Sequence, residues 1–157
     1  MEITTHKNGI QAAARVAQHA TCERSKCGSV IVKDGAILGA GYNSPPAHDE
    51  ASRRCAIRKD VYDQKVTDKT CCIHAEQRAI LDALAHHGEK IRDATLYFAR
   101  LAPDGSVAAS GAPYCTICSK MALDVGIKYF VLLHENGPQA YETRNYNEQS
   151  FSYQAKS

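Results

Sequence analysis

Cys71-Cys72-Ile73-His74-Ala75-Glu76 and Pro113-Tyr114-Cys115-Thr116-Ile117-Cys118 are the two stretches on which the reading of this chain turns. The first offers a histidine with a glutamate two residues on. The second offers two cysteines separated by two residues. Together they supply three zinc-type donors, His74, Cys115 and Cys118, and one carboxylate, Glu76, that the donor set does not need. Structural zinc sites close all four positions with protein, whereas catalytic ones keep one for water. A His/Cys/Cys set beside a free carboxylate therefore reads as a hydrolytic centre.

The spacing constrains the local structure. Cys-x-x-Cys at a helix start lets one turn present two sulfurs to one ion, where free N–H groups and the helix dipole favour thiolates. On that ground both cysteines are expected to titrate low. Residues i and i+2 of a regular helix point about 200° apart. His74 and Glu76 face one pocket only if the helix begins at 74 or 75. The apolar positions Ala75, Ala79, Ile80, Ala83 and Leu84 then form its inner face, and Gly88 is its expected stop.

Outward from these motifs, the alanine-rich residues 8–20 predict a first helix. Val30-Ile31-Val32-Lys33, then Asp34-Gly35, then Ala36-Ile37-Leu38 predict a hairpin running from Gly28 to Tyr42. The polar connection 43–72 holds the basic cluster Arg53, Arg54, Arg58 and Lys59 and room for a short helix over 51–57. A connection that long, ending at the histidine motif, is expected to border the pocket. Residues 94–99 read as a strand, 101–112 as a loop or irregular hairpin, Cys115–Val125 as a helix stopped by Gly126, and Ile127–Leu133 as a strand buried on both faces. Strand, helix and strand in that order predict a parallel crossover. The polar tail after Gly137 has room for one more short helix closing over the site.

The 157 residues, 44% hydrophobic and 23% charged, have an ordinary globular composition sized for one domain, 1–157. No apolar run is long enough to cross a bilayer as a helix, and the N-terminus lacks a signal-peptide core, so a cytoplasmic location and no membrane partner are expected. Seven cysteines, an odd count, point to metal ligation or burial rather than a disulfide framework. A formal charge of +2 gives no general basis for binding nucleic acid.

His74-x-Glu76 followed by Cys115-x-x-Cys118 resembles the zinc-binding motifs of the cytidine deaminase superfamily, most closely its cytidine/deoxycytidylate deaminase branch. The resemblance extends over Cys22-Glu23-Arg24, Gly28 to Gly35, Gly39-Ala40-Gly41-Tyr42-Asn43-Ser44-Pro45, and Cys118 to Lys128. It implies a three-layer α/β/α sandwich around a mixed sheet of about five strands. It implies one catalytic Zn²⁺ on His74, Cys115 and Cys118, with Glu76 as the proton shuttle. Asn43 would meet the sugar, and the Ala75 N–H would meet the ring carbonyl. The activity implied is hydrolytic deamination of a cytosine nucleotide, dCMP first, in a homo-oligomer. The same chemistry on cytidine, cytosine, guanine or a tRNA base is the second reading. A non-catalytic zinc module is the third, against which the intact Glu76 argues. Some members of the branch hold a second, structural ion, to which Cys22 with His86 or His87 would contribute here. Buried free thiols and surface histidines are the simpler account of Cys22, Cys55, Cys71, Cys72, His86 and His87. Arg24 and the cluster from Arg53 to Lys59 are candidates for a 5′-phosphate. One departure stands out. The branch has proline directly before the first cysteine, and here Tyr114 intervenes, either to stack on a base or to fill the core.

Overall fold

In the computed structural model, which describes residues 2–155, one mixed sheet carries helices on both faces. The first helix, α1 (His6–Ala17), opens at Thr5, whose hydroxyl accepts the Asn8 N–H. Its inner face is built from small residues, Gly9, Ala12, Ala13, Ala14 and Ala17, around Ile10. That lets it lie very close to the sheet. A Cβ on Gly28 would sit 2.2 Å from the Ala13 carbonyl oxygen.

β1 (Lys26–Lys33) and β2 (Ala36–Tyr42) form the expected antiparallel hairpin. Asp34 and Gly35 both take positive φ, 51° and 80°, as a two-residue turn that matches strand twist requires. β1 also pairs antiparallel with β3 (Thr95–Leu101), and β3 pairs in parallel with β5 (Tyr129–His134). The parallel pair is joined through α3 (Thr116–Asp124), the predicted crossover. β4 (Val107–Ala108) folds back on β3 and makes 101–108 an irregular hairpin. Beyond β5 the tail adds β6 (Gly137–Glu142), antiparallel to β5, and α4 (Thr143–Phe151). β6 was not foreseen: GPQAYE lacks the apolar alternation of a strand, and its residues are only half-buried or exposed, as suits a sheet edge.

The strand order is β2-β1-β3-β5-β6 with β4 at the side, a six-stranded sheet. α1 packs with Val30, Val32, Tyr97, Ala99 and Val131 on one face. On the other, Ile31, Leu96, Phe130 and Leu132 meet α2 (Ala75–His87), α3 and Tyr146 of α4. The three-layer sandwich is thus present. α2 starts at Ala75 with His74 as its N-cap, as the motif required. Two details of α2 differ from the sequence reading. Leu84 is 43% exposed rather than part of the inner face. Gly88 keeps right-handed dihedrals, so the helix tightens into a 3₁₀ turn over Gly88–Lys90 instead of ending in a left-handed cap. Gly126 does take the left-handed conformation, φ 88°, that stops α3.

The connection 43–72 forms three short 3₁₀ turns, Pro46–His48, Glu50–Ser52 and Lys59–Val61, rather than a helix over 51–57. It is tied down at its two ends by an isolated bridge between Ser44 and Ile73. Among the described residues no helix is long and apolar enough to cross a membrane.

Candidate active site and metal centre

Two helix starts meet at the sheet. Cys115 is the N-cap of α3, His74 the N-cap of α2, and both have extended dihedrals. An N-cap side chain points back over its own helix end, so the two motifs face each other. His74 Nδ1 lies 3.3 Å from Cys115 Sγ and 3.3 Å from Cys118 Sγ, and the two sulfurs are 2.9 Å apart. All three donor atoms fall within 4.8 Å of one another. A zinc ion about 2.0–2.3 Å from each donor demands such a cluster. The outer imidazole nitrogen, Nε2, is 3.5 Å from an Asp68 carboxylate oxygen and 3.3 Å from Thr70 Oγ1. That is the carboxylate–histidine pairing that leaves the other nitrogen free to ligate.

The electrostatics of the donor set fit a cation. Among the side chains alone, the two thiols share one proton. The Cys118 hydrogen bond, opposed by burial and helped by His74, holds Cys115 down at about 5. The same hydrogen bond, together with burial, pushes Cys118 well above the ordinary thiol value. The expectation that both thiols titrate low therefore holds for Cys115 only; two touching sulfurs cannot both ionise without a positive charge between them. A divalent ion held by His74, Cys115 and Cys118 would supply that charge, and with two thiolates and a neutral imidazole such a centre would sum to zero.

Glu76, the second residue of α2, is 6% exposed and hydrogen-bonded by Cys118. Burial, reinforced by the Cys115 thiolate, pushes its carboxyl up to about 7. A buried carboxyl that changes protonation near neutrality is suited to carrying a proton.

These groups open onto a cavity of about 220 Å³. Asn43 and Ala75 line it too, with His74, Glu76 and Cys115, while Cys118 is fully buried 2.9 Å from the Cys115 sulfur. Asn43 is fixed by both ends of its amide: Oδ1 accepts the Cys27 N–H at 2.9 Å, and Nδ2 donates to the Ser25 carbonyl at 2.8 Å. One amide N–H remains for a ligand. Ala75, at the first position of α2, has an N–H with no intrahelical acceptor.

The basic candidates separate. Arg24 and Lys59 line the cavity. Arg24 is anchored by donation to the Cys55 and Ile57 carbonyl oxygens. Arg53 is taken up by Glu50, Thr21 and the Cys55 sulfur, and Arg58 by Asp60. Arg54 faces a different depression. Tyr114 is 63% exposed at the cavity rim, which rules out the core-filling reading. Burial beside the cavity, with the Glu76 charge adding to it, pushes its hydroxyl up to about 12.

Sequence reasoning missed Arg78, whose guanidinium reaches the Tyr42 carbonyl at 3.0 Å, the Pro45 carbonyl at 2.9 Å and the Ser44 hydroxyl. It clamps the Asn43 segment onto α2. Asp68, Phe98 and Tyr146 were missed as well, and no pattern announces them.

A second thiol cluster lies at the cavity edge. The Cys22, Cys55 and Cys72 sulfurs fall within 4.8 Å of one another. Cys71 Sγ is 3.4 Å from Cys55 and 3.7 Å from Cys72. His86 and His87 are not there: they end α2 on the exposed surface, and His86 pairs with Asp82.

An α/β/α sandwich with an inward His/Cys/Cys cluster and a buried glutamate beside it defines the class of zinc-type hydrolytic centres built on two helix N-termini. Residues 3–134 match the family model for the cytidine and deoxycytidylate deaminase zinc-binding region, and the chain belongs to that family of zinc-dependent deaminases. Deoxycytidylate deaminase of Mycobacterium phage D29 is 38% identical over 112 residues, covering 66% of this chain and 84% of the relative. Deoxycytidylate deaminase of Schizosaccharomyces pombe is 24% identical over 127 residues, 78% of this chain but 34% of the relative. Among solved structures, dCMP deaminase from the cyanophage S-TIM5, in complex with dCMP and dUMP, shares 27% identity with a TM-score of 0.53, covering 77% of this chain and 74% of its own. Cytidine deaminase from Burkholderia pseudomallei shares the fold at a TM-score of 0.59 and 18% identity, covering 91% of this chain and 96% of its own.

Proposed function

We propose that this protein hydrolyses a free cytosine nucleotide, dCMP, to dUMP and ammonia. The observation that carries the reading is the His74–Cys115–Cys118 donor cluster, with a buried Glu76 beside it, at the wall of a cavity that two cationic side chains, Arg24 and Lys59, also line. His74 Nδ1 and the two sulfurs would hold Zn²⁺. When bound, zinc supplies the Lewis acidity that makes water a nucleophile near neutral pH.

Glu76 takes one proton from the attacking water and hands it to the ring nitrogen next to the amine-bearing carbon; it then takes the second proton from the hydroxyl now on that carbon and delivers it to the amine, which leaves as ammonia while the oxygen becomes the new carbonyl. Its burial keeps bulk water from competing for that proton. The Ala75 N–H, at the positive end of α2, donates to the ring carbonyl oxygen and fixes the face presented. Asn43 donates its remaining N–H to the sugar. Arg24 and Lys59 meet the 5′-phosphate, which is what separates a nucleotide from a nucleoside here. The identity of the phage relative supports the nucleotide.

The second thiol cluster supports a second, structural ion. Zn–S bonds of about 2.3 Å place tetrahedral sulfurs about 3.8 Å apart. Cys55–Cys72 at 3.8 Å matches that edge, and the Cys22 sulfur lies within 4.8 Å of both. Cys22, Cys55 and Cys72 would supply the donors in place of His86 or His87, with Cys71 Sγ 3.4 Å from Cys55 beside them. Seven unpaired thiols suit a reducing, cytoplasmic location. The chain acts as one deaminase domain within a homo-oligomer.

The deciding experiment counts zinc per chain and follows ammonia release from dCMP, deoxycytidine, cytidine, cytosine, guanine and tRNA. Two zinc ions, dropping to one in His74→Ala and to one in Cys55→Ser, and turnover of dCMP far above deoxycytidine, are expected. Turnover of nucleosides alone would remove the phosphate assignment. No turnover of any aminated base by zinc-loaded protein would remove the enzyme reading.

A further inference from the structure

The cavity rim carries an aromatic ring, Tyr114, backed by a second, Tyr153, that the proton transfers do not use. Extended backbone before α3 alternates its side chains: Pro113 is fully buried, Tyr114 is 63% exposed, and Cys115 turns back in. The Tyr114 ring lies 5.5 Å from that of Tyr153, tilted by 50°. Tyr153 belongs to the segment that leaves α4, and α4 is firmly held. Tyr146 stacks on Phe130 at 3.9 Å, Asn147 Oδ1 accepts the Ser119 hydroxyl at 2.7 Å, and Ser150 is buried. The tail therefore delivers Tyr153 to Tyr114 from a fixed anchor.

Folding does not account for this pair. With side chains 63% and 46% exposed, neither ring gains much from leaving water. Deeper in, Phe98 and Tyr146 line the same cavity, so an aromatic wall runs out to an aromatic rim. A flat, rigid ring held at the mouth of a polar site is suited to stacking on a planar ligand.

On the deaminase reading given above, we propose that Tyr114, braced by Tyr153, is a substrate-selecting residue: its ring packs against the pyrimidine nucleotide entering the cavity, and residues 152–155 hold it in place. The proline found in its position elsewhere in the branch has no such face, so this chain has moved part of its substrate grip onto the residue next to its metal cluster.

The test uses the zinc-loaded full chain in four forms: wild type, Tyr114→Phe, Tyr114→Ala and Tyr153→Ala. Calorimetry on the same four forms carrying Glu76→Gln gives the dCMP dissociation constant without turnover, steady-state assays on the four forms give KM and kcat, and zinc content is measured on the same samples. Tyr114→Ala is expected to weaken dCMP binding and raise KM by about tenfold or more, the scale of one base–aromatic stack. Its kcat is expected to stay within about twofold, since uniform binding is what is lost. Tyr114→Phe keeps the ring and most of the affinity, and Tyr153→Ala falls between. Unchanged dCMP affinity in Tyr114→Ala overturns the proposal. So does a loss that Phe does not rescue, a loss that follows zinc content, or a wild type that does not bind dCMP. Ring-dependent dCMP binding without ammonia release supports this role and sinks the deaminase reading instead.

Discussion

Glu76 is a carboxyl group with little water around it, 6% exposed at the second position of α2. A surface glutamate two residues beyond His74 would cost nothing to keep; this one loses its solvation, and burial raises it to about 7. Its position follows from one local fact, that α2 starts at Ala75. Had the helix begun a turn earlier, His74 and Glu76 would point to different sides. Glu76→Gln keeps the shape and the hydrogen-bonding outline but carries no proton. It is expected to retain its zinc while kcat falls on the order of a hundredfold to ten-thousandfold, the range of a lost general acid–base group. Zinc analysis beside single-turnover ammonia release checks this. A variant that loses zinc in parallel would place Glu76 in the metal's support instead.

At the scale of elements, the site depends on how closely α2 lies on β2. A Cβ on Gly41 would come within 2.5 Å of the Ala79 nitrogen and 2.6 Å of the Ala75 carbonyl oxygen. These are backbone atoms of the turn that carries Ala75 and Glu76, so they cannot yield as a flexible side chain would. Gly41→Ala is expected to destabilise by about 1–3 kcal/mol, as overpacking does, and to weaken zinc retention with it. Gly88→Ala is the control, since nothing lies within 4 Å and its φ of −53° suits alanine. It is expected to be neutral or to stabilise by about 0.4–1 kcal/mol. Urea midpoints and chelator-competition curves for the two variants separate the cases. Arg78 works on the same contact: Arg78→Ala frees the Ser44–Pro45 strand end, with Asn43 beside it. We expect a higher KM for dCMP with the metal centre intact.

At the scale of the whole molecule, the tail closes the fold. Tyr146 brings α4 onto Phe130, and Tyr141 of β6 packs edge-on against Tyr146. Burial raises Tyr141 and Tyr146 above the ordinary tyrosine value near 10. The sign follows from linkage. The unfolded chain releases these protons near pH 10 and the native one holds them longer, so their contribution is intact below pH 10 and is lost as pH rises above it. Denaturant midpoints are expected to fall as pH rises above about 10, and tyrosinate absorbance should rise in two stages, exposed rings first. A single stage with no loss of stability would show that the tail does not enclose these rings.

The sequence by itself determined what depends on short separations. His74-x-Glu76 and Cys115-x-x-Cys118 state a donor set and a spare carboxylate. Asp34-Gly35 states a turn, and alternation and helical spacing state most of the sheet and three of the four helices. All of these are local, and local rules of geometry reach a few residues. Only the tertiary structure decided which distant residues share a space. Cys22, Cys55 and the adjacent Cys71 and Cys72 have no motif, yet the Ser44–Ile73 bridge folds the long connection so that their sulfurs gather. The basic cluster was legible only as a cluster; neighbouring carboxylates and carbonyls decided that Lys59 faces the cavity while Arg53 and Arg58 are engaged elsewhere. β6 was illegible because an edge strand needs little apolar pattern. Tyr114 could be read as unusual from its place before Cys115. Whether it turned inward or out to the rim depended on backbone alternation and on Tyr153, thirty-nine residues away, arriving to meet it.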